Sequence, residues 1–148
     1  MTAARIRRLL ATLWVGSLWT VGYIVAPTLF STLADRVLAG LIAGSLFRIE
    51  AWLSLVCAIA MVVLLKASPD ERGTNTGRQL IWIVAGMLGC TLVGYFGLQP
   101  FMAALKEAAG AAGMQGESRA QFGILHGVAS TFYLVQSLLG AALVWKLR

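Results

Sequence analysis

Three ionisable side chains lie within apolar stretches of this sequence, where a charge is costly: Arg48, Glu50 and His126. In an apolar layer such groups usually face other protein groups or water, and they mark sites for protons, ions or polar ligands. Hydroxyl and amide side chains accompany them in neighbouring apolar stretches, at Tyr23, Tyr95, Gln99 and Ser130. Together these residues could bind a ligand through a carboxylate, an imidazole and hydroxyl groups.

Two interpretations of His126 stay open. It could form a structural hydrogen bond, or it could be a candidate metal or haem ligand. It is the single histidine of the chain, so a thiolate, thioether, carboxylate or second subunit would have to complete the ligand shell. Cys57 and Cys90 lie inside apolar runs and fit neither a disulfide framework nor a zinc site. The sequence requires no cofactor.

Motifs of the common enzyme classes do not occur in the sequence. We find no hydrolase triad motif, phosphate-binding loop or dinucleotide fingerprint. A conventional enzyme active site is therefore not predicted, and a role in binding is the better hypothesis.

The elements that must position these residues are four long apolar segments, at about 9–29, 38–65, 80–102 and 122–145. The chain is 59% hydrophobic and 12% charged, whereas a soluble domain has about 25% charged residues. Each segment reaches the ~20 residues that a membrane crossing needs, and only helices satisfy their own backbone in lipid when no barrel can form. We predict an all-α integral membrane four-helix bundle, with one domain over residues 1–148 and the lipid bilayer as its surroundings.

The basic residues predict the orientation of these four helices, numbered 1 to 4. They are split eight to three between the two sides of the membrane, and the richer side is expected to be cytoplasmic. The eight are Arg5, Arg7, Arg8, Lys66, Arg72, Arg78, Lys146 and Arg148, and the three are Arg36, Lys106 and Arg119. Both termini are thus predicted in the cytoplasm. Because the basic residues lie between apolar runs, the net charge of +6 does not indicate nucleic-acid binding.

Tryptophans, prolines and small residues add local predictions. Trp14, Trp82 and Trp145 fit the aromatic belt at the cytoplasmic interface, and Pro27 and Pro100 fit helix ends or kinks. We find no internal repeat. Small residues that allow close helix approach are spaced one turn apart in Gly40/Gly44, Gly123/Gly127 and the stripe of Gly86, Cys90 and Gly94.

A polar layer emerges when depth is counted from the cytoplasmic end of each helix. At ~1.5 Å per residue, Tyr23, Arg48, Glu50, Tyr95 and Ser130 lie at roughly 21–25 Å, and Pro27, Gln99 and His126 at about 27–29 Å. We therefore predict a candidate ligand-binding layer in the outer third of the bilayer.

Spacing around the helices indicates which of these residues face inward. One face of helix 4 carries His126, Ser130, Tyr133 and Ser137, and one face of helix 2 carries Glu50, Ser54, Cys57 and Met61. Two such faces would line a polar cleft open to the periplasm. Arg48 and Glu50 are about 200° apart around helix 2 and cannot share a face. These two could instead anchor helix 2 at the interface.

The sequence resembles a known family over nearly its whole length. Trp14–Trp19, Val25–Phe30 and Ala39–Phe47 are similar to the bacterial family of domain of unknown function 4149. Tyr95–Pro100 and Phe122–Ser130, with its Leu-His-Gly-x-x-Ser segment, resemble the eukaryotic transmembrane protein 205 of the same group. The resemblance implies a four-helix membrane domain in the bacterial inner membrane, without an established activity. Phe101 stands where the eukaryotic relative has arginine, so that arginine's role does not carry over.

Three hypotheses follow. The first is a non-enzymatic inner-membrane protein that binds a small ligand, ion or partner helix in the periplasm-facing polar layer. The second is a metal- or haem-linked transport or redox protein using His126 with Met61 or a cysteine. The third is a structural accessory of a membrane complex or homo-oligomer.

Overall fold

The protein, described here by a computed structural model over residues 3–68, 73–110 and 113–147, is helical throughout these ranges except for turns. Helix 1 (Ala3–Thr32), helix 2 (Arg36–Ala67), helix 3 (Asn75–Ala109) and helix 4 (Gly116–Lys146) are each long and apolar enough to cross a membrane. The predicted all-α four-helix membrane bundle is thus confirmed. Arg72 and Arg148, two of the basic residues used to predict orientation, lie outside the described residues.

Both ends of the chain lie at one end of the bundle, called here the termini end. Arg7 donates a hydrogen bond from Nη1 to the Ser68 hydroxyl, and Lys146 donates from Nζ to Gln79 Oε1 at 3.0 Å. The opposite end, where turns join helix 1 to helix 2 and helix 3 to helix 4, is called the hairpin end.

The tightest packing lies in the half of the bundle near the termini end. All four helices contribute to one buried apolar cluster there, formed by Ala11, Trp14, Val15, Cys57, Ala58, Met61, Leu65, Leu80, Val84, Met87, Leu143 and Leu147. Small residues bring the backbones together: a Cβ on Gly140 would lie 3.0 Å from a Val15 methyl, and one on Gly86 would lie 3.1 Å from Leu139. Lipid is as apolar as these side chains, so close van der Waals packing stabilises this half.

Packing is much looser toward the hairpin end. Helix 4 has no buried residue from Gly116 to Val135, and added Cβ atoms at Gly123 and Gly127 would meet open space. Gly44 is equally open. Of the predicted small residues in the described ranges, Gly86 and Gly94 of the helix 3 stripe meet helix 4 closely, and Gly40 meets Phe30 of helix 1 at 4.0 Å.

Helices 1 and 3 each contain a six-residue π-helical segment before a proline, at Thr20–Val25 and Leu92–Gly97. Proline lacks an N–H group and its ring clashes with the carbonyl four residues earlier, so a wider turn relieves the clash at Pro27 and Pro100. The prolines therefore sit inside continuous helices instead of ending them. Both segments contain Val-Gly-Tyr, at a similar distance before the proline.

Candidate functional site

The polar centre of the bundle is the Glu50 carboxyl group, which is 4% exposed and lies where helices 1, 2 and 4 meet. The Ser54 hydroxyl, one turn away on helix 2, donates to Glu50 Oε1 at 3.4 Å. The same hydroxyl oxygen accepts from Trp14 Nε1 at 2.8 Å and from Gln136 Nε2 at 3.3 Å. Ser54 therefore joins three helices through one oxygen atom.

The direction of these hydrogen bonds is fixed by the chemistry of the groups. An indole N–H and an amide NH₂ can only donate, so the Ser54 oxygen must accept both. Its single proton is then left for the Glu50 carboxyl oxygen. The network accordingly presents a donor to Glu50, which suits either a carboxylate or the carbonyl oxygen of a carboxylic acid.

Ser17 on helix 1 is the second hydroxyl at the carboxyl group. Its proton is directed to the Trp14 carbonyl oxygen at 2.9 Å, and a hydroxyl has only one proton to donate. With that bond in place, the Ser17 oxygen can accept a hydrogen bond from the O–H group of a neutral Glu50. Rotation of the hydroxyl lets it donate to an ionised Glu50 instead, so the site accommodates both forms.

No ion pair involves Glu50 within the described ranges of the chain, where the Ser54 hydroxyl donates to it and the Ser17 hydroxyl lies close by. An unpaired buried charge costs several kcal/mol, on the order of the penalty for removing an ion from water. The carboxyl group is thus expected to hold either its proton or a bound cation.

Three aromatic rings from helices 1, 2 and 4 lie near the carboxyl group. Phe47, one turn from Glu50 toward the hairpin end, packs edge-on against Tyr133 with ring centroids 5.3 Å apart. Tyr23 packs against the other side of Tyr133 at 6.2 Å and donates from its hydroxyl to Ser137 Oγ at 2.9 Å. These three rings, called the aromatic cap, lie on the hairpin-end side of Glu50.

Tyr133 is also built into the backbone of helix 1. Its hydroxyl donates to the Leu18 carbonyl oxygen at 2.6 Å. In a regular helix the Gly22 N–H would donate to the Leu18 carbonyl, so Tyr133 is inserted at the point where the π segment interrupts that ladder. A Cβ on Gly22 would overlap the Tyr133 ring, which explains the need for glycine.

Comparison with known proteins gives one match. The sequence profile described as "Domain of unknown function (DUF4149)" matches residues 9–111, which is more than half of the chain. The chain belongs to this family. No curated protein matches the chain, and no solved structure matches it.

The profile match includes helices 1 to 3 and Glu50 but stops before helix 4 of this DUF4149 protein. The family prediction is confirmed. The finer resemblance to transmembrane protein 205 depends partly on the Leu-His-Gly segment beyond residue 111, and it stays a prediction.

The structure brings together only some residues of the predicted layer in this DUF4149 protein. Tyr23 and Glu50 lie at the network and its aromatic cap. Tyr95 and Gln99 are half-buried on helix 3, where Tyr95 packs on Phe96 with ring centroids 5.2 Å apart. Arg48, His126 and Ser130 are exposed, and Tyr23, although it contacts the network, is itself 49% exposed. Arg48 and Glu50 thus face different directions, as their spacing predicted.

His126 is exposed on the part of helix 4 toward the hairpin end, where that helix has no buried residue. Its ring stacks on Phe122 at 5.9 Å, and Lys106 Nζ lies 5.1 Å from the Phe122 ring centroid. Cys57 and Met61, its predicted soft partners, are buried in the apolar cluster near the termini end. Across the described residues, no group of three His, Cys, Asp or Glu side chains could hold a metal ion.

The predicted open cleft is closed at Glu50. Ser54, Cys57 and Met61 share its buried face, as their spacing predicted, but they pack directly against neighbouring helices. One cavity of about 220 Å³ lies instead between helices 3 and 4, lined by Cys90, Val128, Thr131, Phe132 and Val135.

The site also includes four residues that the sequence analysis did not assign to it: Trp14, Ser17, Phe47 and Gln136. Trp14 had been assigned to the interfacial belt, but it is fully buried and bonded to Ser54, whereas Trp82 and Trp145 are exposed as a belt requires. Gln136 offered a usable signal, since an amide within an apolar helix needs a buried partner.

Proposed function

We propose that this protein is a non-enzymatic membrane protein that binds a small cation at Glu50, in exchange for the carboxyl proton. The observation that supports this is a buried acid with hydroxyl partners suited to both protonation states and with no ion pair among the described residues. A buried acid within a membrane span lowers the stability of the bundle, so its presence indicates a role other than stability.

The proposed access is from the hairpin end, which we assign to the periplasm of a bacterial inner membrane. The eight-to-three split of basic residues supports cytoplasmic termini. Toward those termini, Met61, Leu65 and Leu143 belong to a tightly packed apolar cluster, and a bare cation crossing it would lose its hydration without replacement ligands. Binding and release on one side fits this arrangement better than conduction.

The test is a cation series on the detergent-purified full chain, read as thermal stability. A cation that binds only the folded protein adds about 2.7 kcal/mol at a concentration of 100 times its dissociation constant. We expect at least one cation to stabilise the wild type in this way and Glu50→Gln to abolish the shift. His126→Ala is the matched control, because His126 is exposed and lies away from the network.

A shift that survives Glu50→Gln but is lost in His126→Ala would move the site to the outer part of helix 4. A shift that survives both substitutions would contradict the proposal for the whole predicted layer.

A second candidate function is that of a structural accessory in a membrane complex or homo-oligomer. The exposed outer half of helix 4 supports it, because a Cβ added to Gly123 or Gly127 would meet nothing within 4 Å outside its own helix backbone, and a polar His126 is exposed beside them. Crosslinking in native membranes should then give a defined adduct through this face. A uniformly monomeric product would count against this role.

A further inference from the structure

We infer that the cation bound at Glu50 is an organic ammonium-type cation, recognised by the aromatic cap; this rests on the cation-binding function proposed above. Phe47 lies one turn from Glu50 on helix 2, and Tyr133 of helix 4 packs between it and Tyr23 of helix 1. An organic cation is attracted to aromatic ring faces, most strongly where water is absent. A carboxylate beside aromatic rings supplies both parts of such a site.

The oxygen atoms around the site argue against an inorganic metal cation. Hard cations such as Ca²⁺ or Mg²⁺ need about six or more oxygen ligands. The Ser54 oxygen already accepts two hydrogen bonds, and the carbonyl oxygens of Trp14 and Leu18 already accept hydroxyl groups. Few free lone pairs besides those of the carboxylate remain, whereas an organic cation needs only the charge and the ring faces.

The aromatic cap also offers a route to the carboxyl group. Tyr23 is 49% exposed, and a single side-chain hydrogen bond, to Ser137, holds its hydroxyl in place. Phe47 and Tyr133 behind it are half-buried. Displacement of Tyr23 would open the cap from the hairpin end without disturbing the apolar cluster at the termini end.

Binding exchanges one cation for one proton. The organic cation pairs with the Glu50 carboxylate, and the carboxyl proton passes to water at the hairpin end. The other titratable groups whose charge interacts with Glu50 are Cys57 on helix 2 and Tyr133 on helix 4, and Tyr23 on helix 1 interacts with Tyr133 in turn. All are acids, so no basic side chain among them competes with the cation.

The experiment titrates the detergent-purified full chain with tetraethylammonium and tetraphenylphosphonium chlorides, and in parallel with sodium, potassium, magnesium and calcium chlorides at equal ionic strength. Binding is measured by calorimetry, and proton release by a pH dye in weak buffer. We expect an organic cation to bind with release of about one proton, since a single carboxyl group exchanges. Glu50→Gln should abolish both signals.

Ring variants test the aromatic cap. Removing one desolvated cation–π contact of about 2 kcal/mol weakens binding roughly 30-fold, so Phe47→Leu and Tyr23→Leu should each raise the dissociation constant by ten-fold or more. Phe47→Tyr keeps a ring and should stay within about three-fold. Phe101→Leu is the matched control, because Phe101 is 65% exposed on helix 3 and should leave binding unchanged.

The outcomes separate the two proposals. Glu50-dependent binding of inorganic cations alone would overturn the organic-cation inference and leave the proposed function standing. Organic binding that needs Glu50 but is indifferent to both ring variants would overturn recognition by the aromatic cap. If no cation binds in a Glu50-dependent way, both proposals fail. If Phe47→Leu does not fold, Tyr23→Leu decides, because the exposed Tyr23 ring tolerates truncation.

Discussion

Replacing Ser54 with alanine is expected to lower the free energy of unfolding by about 2–4 kcal/mol, because one substitution removes the acceptor of two buried donors at about 1–3 kcal/mol each. The Trp14 indole N–H and the Gln136 amide both donate to the Ser54 hydroxyl oxygen. Glu50 loses a donor at the same time. The measurement is reversible unfolding in mixed micelles with increasing denaturing detergent.

Ser45→Ala is the matched control for this prediction. Ser45 lies on the same helix, is exposed, and donates to the Leu41 carbonyl of its own helix, so its loss should change stability by less than about 0.5 kcal/mol. Ser54→Thr, which keeps a hydroxyl group, should recover part of the stability. Equal stabilities for Ser54→Ala and Ser45→Ala would show that Ser54 does not join the three helices energetically.

The second large effect is expected at Gly22, where alanine should destabilise the protein by about 2 kcal/mol through overpacking. The new methyl group would overlap the Tyr133 ring. That ring has little freedom to move, because its hydroxyl donates a hydrogen bond to the Leu18 carbonyl and Phe47 packs against it. Elsewhere in a helix the same change stabilises by about 1 kcal/mol. A loss of stability at this position would therefore indicate overpacking by the added methyl group.

Gly16→Ala provides the comparison on the same helix, since a Cβ there would meet nothing within 4 Å. We expect it to be neutral or stabilising. Tyr133→Leu should rescue Gly22→Ala in the double mutant, because neighbouring substitutions that share one contact are not additive. Additive effects of the two substitutions would contradict the proposed insertion of Tyr133 into helix 1.

The fold could be predicted largely from the sequence because lipid imposes simple rules. Four apolar runs of sufficient length predicted four helices, and the structure contains them at Ala3–Thr32, Arg36–Ala67, Asn75–Ala109 and Gly116–Lys146. Helix 3 runs without interruption through Pro100 and ends at Ala109 rather than at about residue 102, because the π segment accommodates the proline. Amino-acid composition does not predict such a local widening of the helix. The sequence Val-Gly-Tyr before each of the two prolines is the only feature that the two π segments share in the sequence.

The candidate site could be predicted only in part, because sequence gives depth along a helix more reliably than direction around the bundle. Counting residues placed Glu50 and Ser130 at one level, yet the first is buried and the second is exposed. The difference arises because Ser130 lies in the part of helix 4 before Gln136, its first buried residue, where side chains are at most half-buried. Trp14 was misassigned for a related reason, since belt and core positions look alike in sequence.

Infrared difference spectroscopy of the purified protein in detergent tests most directly whether Glu50 is the exchangeable group. The wild type should show a protonated-carboxyl carbonyl band that disappears when a saturating organic cation is added at constant pH, and Glu50→Gln should lack that band. A Glu50 carboxyl band that is unchanged by saturating cation, or a cation-sensitive band that persists in Glu50→Gln, would contradict cation–proton exchange at Glu50.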